Sequence, residues 1–371
     1  MKSIVEEVLS RSGQENVPPA SVTGIGGINT DDEELERVLA GLKTNIKIIG
    51  CGGAGSNTIN RLMDEGILGA DLFAANTDAQ HLLTTHAPHK ILLGRRCTRG
   101  LGAGAMPQIG EEAAREAEEE VRNALAGADI VFITCGLGGG TGTGSAPYVA
   151  AIARELGALT IAICTTPFKA EGQSRMDNAK FGLRKLRAVS DTVITIPNDK
   201  LLELVPRLSL TAAFRVADEV LMRSIKGITE IITKPGLVNL DFNDLKTVMK
   251  GGGVAMIGLG ESEGEERANE AIEEAINSPL IDVDISEATG ALINVTGGNE
   301  MTVSEAERVA EEVQKRISGN AKIIWGAAID PTLEGAMRVM LVITGVKSKQ
   351  IMGRSEVIGR EGGDLGMDII G

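Results

Sequence analysis

From residue 45 to residue 200 the chain alternates between two hydrophobic periodicities, and few architectures satisfy both. Near-continuous apolar runs at 45–49, 71–76, 90–93, 129–135, 159–165 and 191–197 read as strands. Between them, apolar residues spaced by three and four predict helices through Ile59 and Leu62 and over 111–125, 145–156 and 173–189. Strands that are apolar on both faces belong to a parallel sheet covered on both sides. The alternation therefore predicts a Rossmann-like, doubly wound α/β domain, bounded here at 45–208.

Over 209–233, Leu210, Ala213, Phe214, Ala217, Val220, Leu221, Ile225, Ile228, Ile231 and Ile232 recur at helical spacing and wrap most of the girth. This central helix is expected to lie buried between two bodies, and Lys234-Pro235-Gly236 stops it. Residues 234–348 mix strands (254–260, 291–296, 322–328, 338–344) with helices (265–277, 304–316), which predicts a smaller α+β domain with a mixed sheet. Residues 1–44 read as a variable, acidic extension with a flexible middle and a short helix capped by Thr30 or Asp31. Residues 349–371 read as a mobile tail with a short apolar tip, DLGMDIIG.

The net charge is −14 and no Lys/Arg cluster is dense enough for a phosphate-tracking face, which argues against nucleic acid as a partner. No run approaches ~18 uncharged apolar residues, so no membrane insertion is expected, and Glu6 and Glu7 interrupt any secretory signal. Cys51, Cys97, Cys135 and Cys164 form no CxxC pair and read as reduced thiols of a cytoplasmic protein. His81, His86 and His89 fall within nine residues but lack an obvious further ligand; a surface turn is the better reading, with metal binding left open.

Glycine accounts for 47 of 371 residues, against an average of about 7%, and it is concentrated in loops between a strand and a helix. The first, Gly50-Cys51-Gly52-Gly53-Ala54-Gly55, matches GxGxxG and puts backbone N–H groups and a helix N-terminus before an anion. Alone it also fits a dinucleotide site, but the second strand ends in Asn76-Thr77-Asp78 rather than in the expected ribose-binding acid. No GxxxxGK[ST] occurs, which excludes a P-loop. The second loop, Gly136 to Ser145, is richer still. A dinucleotide fold does not require it, whereas a phosphate chain gripped from two sides does, with Thr141, Thr143 and Ser145 adding hydroxyls. A third loop, Gly100 to Ala105, is placed to close over a terminal phosphate. The plainer alternative is three unrelated tight turns. Without a P-loop lysine, Mg²⁺ would have to neutralise the phosphates.

Taken together, GCGGAGSN (50–57), NTD (76–78), GLGAG (100–104), GGGTGTGS (138–145), TTPF (165–168), PND (197–199) and NLDFNDLKTVM (239–249) resemble the FtsZ family, the prokaryotic cell-division GTPases of the tubulin superfamily. The resemblance holds in order and spacing over about 45–345. It implies a GTP/GDP site in which Gly52, Gly53, Ala54, Gly55 and Asn57 lie along the phosphates, faced by Gly140, Thr141, Gly142, Thr143 and Gly144. Gly102, Ala103 and Gly104 would belong to the third loop, Glu171 and Arg175 would contact ribose and phosphate, and Asn198, Phe214 and Asp218 would form the guanine pocket. A carboxylate at Asp218 can accept from guanine N1–H and its 2-amino group, which adenine cannot match. Asn239, Asp241 and Asp244 lie beyond a helix of ~35 Å, too far to reach the same molecule's phosphates. By resemblance they complete the catalytic site of the neighbouring subunit, so assembly would be head-to-tail and filamentous, at a cytoplasmic mid-cell ring.

Two positions depart from the family: Met106 stands where Asn is common in the third loop, and Ser56 replaces a common glycine. The N-terminal extension and the tail look like the archaeal branch. Leu365, Met367, Ile369 and Ile370 are expected to dock on a membrane-tethering adaptor, and Ile4, Val5, Val8 and Leu9 to form a small amphipathic helix. Two rival functions remain at this point: a filament-forming scaffold with little hydrolysis, and an NAD(P)-dependent oxidoreductase.

Overall fold

The computed structural model describes residues 44–204, 209–234, 236–238, 240–281 and 283–346. The expected N-terminal helices, the tail tip and Asn239 lie outside the described residues.

The first half is built from β1 (Ile46–Cys51), α1 (Gly52–Asp64), β2 (Ala70–Asn76), α2 (Ala79–Thr84), β3 (His89–Leu92), α3 (Pro107–Glu116), α4 (Glu118–Leu125), β4 (Ile130–Gly136), α5 (Thr141–Glu155), β5 (Leu159–Thr166), α6 (Gln173–Val189), β6 (Thr192–Pro197) and α7 (Asn198–Leu204). The second half follows the long α8 (Leu210–Thr233) with α9 (Phe242–Met249), β7 (Gly253–Glu263), α10 (Arg267–Ile276), β8 (Gly290–Gly297), α11 (Val303–Arg316), β9 (Lys322–Ile329) and β10 (Ala336–Thr344).

All ten strands join one sheet in the order β3-β2-β1-β4-β5-β6-β7-β10-β8-β9. The six strands of the first half are parallel, as their continuous apolar sequences require; β1 is buried at every position. β7 continues the sheet through three parallel pairs, Thr192 with Gly253 to Ile194 with Ala255. Beyond it the sheet is mixed: β10 is antiparallel to β7 and β8, and β9 is parallel to β8.

One face of the parallel half is covered by α3 to α6, through Ala113, Val121, Val149, Ile152, Leu183 and Leu186. The other is covered by α1 and α8. α8 also crosses onto the mixed half, so Val220, Ile225 and Ile228 share one core with Ile194 and Ile196 of β6 and with Leu292 and Met340 of β8 and β10. That double duty explains apolar residues around most of its girth. α10 and α11 cover the opposite face of the mixed half.

Three local departures from the sequence reading have physical causes. The single helix expected over 111–125 is two helices, broken at Ala117. Glu118, Glu119 and Glu120 then fall in a first helical turn, where the helix dipole favours acids. α5 begins at Thr141, four residues before the expected start, so the second glycine loop is itself the first turn of that helix. The short helices α2, α7 and α9 were not foreseen, since none spans enough turns to show a period.

Cys51, Cys135 and Cys164 are buried, Cys97 is exposed, and all four are free thiols. Burial pushes Cys51 and Cys164 up to about 12, so neither is poised as a nucleophile. His81 sits between Asn76 and Asn57, at 3.0 and 3.1 Å. Among the described residues no three His, Cys, Asp or Glu side chains converge as a metal site, and no helix is long and apolar enough to cross a membrane.

Candidate functional site

The carboxyl ends of β1, β4 and β5 open into a cleft of about 280 Å³. In doubly wound sheets this end is where ligands bind, because loops diverge there and helix N-termini point inward. α1 and α5 both begin at the cleft. Neither has a side-chain cap nor an acidic residue in its first turn. Their first N–H groups are therefore unsatisfied by capping, and two positive helix ends converge on one space.

The glycines make this convergence possible. Gly52 has φ +74°, which turns the chain sharply from β1 into α1, and an added Cβ would approach the Gly142 nitrogen to 2.7 Å. Gly53, Gly104 and Gly139 face open space, with nothing within 4 Å of an added Cβ. The third loop is tied to the second by Gly140 N–H donating to Gly104 O at 2.9 Å, and Asn178 Nδ2 donates to both Ala105 O and Gly138 O.

Of the residues singled out from sequence, Gly53, Ala54, Gly104, Gly140, Thr141, Gly142, Glu171, Arg175, Asn198, Phe214 and Asp218 line this one cleft. The others support it from behind. Gly55 packs α1 against the Thr134 carbonyl of β4, and Gly144 packs α5 against the Pro107 carbonyl. Gly102 donates its N–H to Thr77 O, and Ala103 is buried. Asn57 turns outward to His81. Thr143 accepts from Gly138 N–H at 2.9 Å, Thr141 shares a 2.6 Å bond with Thr77, and Ser145 donates to Thr141 O. These three hydroxyls are engaged within the loops, Thr141 while also lining the cleft.

At one wall, Glu171 accepts from Phe168 N–H at 2.9 Å and from Arg175 at 2.7 Å, so acid and base are held together at the rim. The far end is a recess of different chemistry. Phe214, 39% exposed, packs against buried Phe168 in a T-shaped pair with ring centroids 5.1 Å apart. Asn198 is buried and its Oδ1 has no partner. Asp218 is pushed up to about 6, chiefly by burial, with Arg61 pulling it down and Glu219 raising it. A buried amide oxygen and a half-buried carboxylate beside an aromatic ring suit a flat, donor-rich ring.

Asp241 and Asp244 lie elsewhere, past the C-terminal end of α8. They form a reciprocal capping box at the start of α9: Asp244 N–H donates to Asp241 Oδ1 at 2.8 Å, and Asp241 N–H to Asp244 Oδ2 at 3.3 Å. The preceding loop is pinned to β9 by Leu237 N–H donating to Ala327 O at 2.8 Å.

Sequence reasoning did not select Gly136, Thr165 or Ala217 as contacts, although all three line the cleft. The position of Gly136 and Thr165 at the carboxyl ends of parallel strands was the available signal. Arg61 was also missed; its partners lie on α8, and nothing local announces them.

A parallel sheet in the order 3-2-1-4-5-6, opening onto paired helix N-termini and an aromatic-walled polar recess, defines the class as a nucleotide-binding protein. Comparison with known proteins narrows the class. The family model described as Tubulin/FtsZ family, GTPase domain, matches residues 45–206, and the FtsZ family C-terminal domain matches 253–347. Cell division protein FtsZ 1 of Archaeoglobus fulgidus is 59% identical over 354 residues, 95% of each chain. Cell division protein FtsZ of Haloferax mediterranei is 59% identical over 359 residues, 96% of this chain and 95% of that one. A solved FtsZ dimer from M. jannaschii superposes with a TM-score of 0.82 at 57% identity, over 86% of this chain and 93% of that one. The chain belongs to the FtsZ family. It is a cell-division GTPase of tubulin type, and GTP and GDP are its nucleotides.

Proposed function

We propose that the cleft holds GTP with its phosphates between the N-termini of α1 and α5 and its guanine between Phe214, Asn198 and Asp218, and that hydrolysis is completed by Asp241 and Asp244 of the next subunit. The convergence of two uncapped helix ends on one cleft is the observation that carries the nucleotide's orientation. The phosphate end is lined by glycines and backbone donors, while the recess offers the unpartnered Asn198 Oδ1 and the carboxylate of Asp218. Glu171 and Arg175 stand between, at the height of the ribose. Mg²⁺ counters the remaining phosphate charge.

Separation of the two half-sites supports completion in trans. Phe214 and Asp218 lie in the first half of α8, and the capping acids lie beyond its far end. The 24 residues of α8 span ~36 Å at 1.5 Å per residue. Each acid spends one oxygen on the capping box and keeps the other for a water. Asn239 is assigned to the same group by its motif. A contact joining opposite ends of one molecule repeats without closing and builds a filament. Leu101 and Met106 by the cleft, and Leu237 by the acids, are exposed apolar side chains available to it. Such filaments would form the division ring in the cytoplasm at mid-cell, tethered through Leu365, Met367, Ile369 and Ile370 by a membrane-bound adaptor. Nucleic acid has no part in this reading, and neither does direct membrane insertion.

The test is GTP turnover per subunit across a protein-concentration series, with light scattering in parallel. Near-zero specific activity below a threshold, rising together with scattering, is expected. Turnover independent of concentration would overturn completion in trans, and scattering without turnover would favour a scaffold.

A further inference from the structure

We propose that Arg61 is a specificity-determining positioning residue: from the last turn of the phosphate-binding helix α1 it holds Asp218 as an aimed carboxylate, and so ties guanine selection to that helix. The proposal rests on the reading of Asp218 as the guanine acceptor.

Arg61 is clamped between two adjacent acids of α8. Its Nη1 lies 3.4 Å from Glu219 Oε2 and its Nε 3.9 Å from Asp218 Oδ2. Glu219 is nearly inaccessible and is held in turn by Arg223, Nε to Oε1 at 2.8 Å. The guanidinium is thereby held beside the Asp218 carboxylate, which lines the recess. The clamp spans two elements, α1 and α8, that frame opposite ends of the cleft.

The chemistry requires the charge. Guanine offers two adjacent donors, N1–H and the 2-amino group, and a carboxylate can accept both. A protonated acid would turn one oxygen into a donor and lose that match. Burial works toward protonation, pushing Asp218 up to about 6, with Glu219 acting in the same direction and Arg61 opposing both. The other charged groups around the cleft are committed elsewhere. Glu171 pairs with Arg175 on the facing wall, Asp199 with Lys169, and Lys200 with Glu203 on α7. Arg223 lies behind Glu219 and reaches Glu261 of β7. Removing Arg61 therefore raises Asp218 further.

The experiment measures binding of GTP, of inosine triphosphate (which lacks the 2-amino group) and of ATP to the full chain, from pH 5.5 to 8.5. For wild type, GTP affinity is expected to be flat above pH 7 and to fall as pH drops through about 6. For Arg61→Gln the fall begins at higher pH: a midpoint raised by one unit weakens GTP binding about twofold at pH 7 and about eightfold at pH 5.5, with recovery at pH 8.5. The preference for GTP over inosine triphosphate and ATP shrinks in step. Arg61→Lys, whose charge sits farther from Asp218, should move the midpoint the same way by less, and it carries the test if the glutamine variant does not fold. A loss equal at every pH would make Arg61 a packing residue, and an unmoved midpoint in whichever variant folds would overturn the proposal. Asp218→Asn tests the underlying reading separately: if it keeps the full preference for GTP, the guanine pocket is wrongly assigned whatever Arg61 does.

Discussion

Gly144 and Gly53 sit in the two glycine loops, and an added methyl group would meet different surroundings at each. At Gly144 a Cβ would overlap the carbonyl oxygen of Pro107, because α5 and α3 pack there backbone to backbone. At Gly53 it would project into the cleft and meet nothing within 4 Å. Gly144→Ala is therefore expected to lower stability by about 1–3 kcal/mol, the usual cost of overpacking. Gly53→Ala should leave the thermal midpoint unchanged and weaken GTP binding by filling space the phosphates need. Thermal denaturation beside nucleotide titration separates them; a Gly144→Ala protein as stable as wild type would mean that α3 and α5 can part without cost. Both glycines were legible in the sequence as members of phosphate loops. Spacing alone cannot say which of them faces the ligand, since at Gly144 that depends on how α3 packs against α5. Asp218 was legible only through the family motifs, because a lone acid on an amphipathic helix ordinarily faces solvent. Arg61 was not legible at all, since its partners are brought to it by tertiary packing.

The elements that could be read from sequence are those with a sustained period: the six parallel strands, α6 and α8 stand within a few residues of where their apolar patterns put them. The break at Ala117 and the early start of α5 were hidden because continuing helix and restarting helix share one periodicity. α9 is the instructive case. Its start, Leu240-Asp241-Phe242-Asn243-Asp244, reads from sequence as a loop with solvated acids, yet it is a capping box. Under the proposed trans mechanism the same two carboxylates both hold a helix and polarise a water. Asp241→Ser tells the roles apart, because serine caps about as well as aspartate while removing the charge. Stability should stay within a few tenths of a kcal/mol, whereas Asp241→Ala should lose about 1 kcal/mol. GTP turnover should fall steeply in both, with GTP binding retained. If the serine variant turned over GTP at the wild-type rate, Asp241 would be a cap and nothing more.

At the scale of the whole molecule, the 24-residue α8 separates the cleft from Asp241 and Asp244, and the ten-stranded sheet runs unbroken past it. The proposed site, shared between two ends of the molecule, requires activity only at a junction between copies, so two differently crippled subunits should repair one another. Asp244→Asn keeps the cleft and loses an acid; a double variant, Asn198→Ala with Asp218→Ala, keeps the acids and loses base recognition. Neither alone should turn over GTP at an appreciable rate. In a one-to-one mixture the head-to-tail contact pairs an intact cleft with intact acids at about one junction in four if both kinds enter filaments equally. Turnover of up to about a quarter of wild type is therefore expected, appearing only above the concentration at which scattering rises. Fewer active junctions would follow if the cleft-deficient copies enter filaments poorly, but the sign of the effect is fixed. A mixture whose turnover merely equals the sum of its two components at every concentration would mean that the catalytic acids act within one chain, against the geometry that α8 imposes.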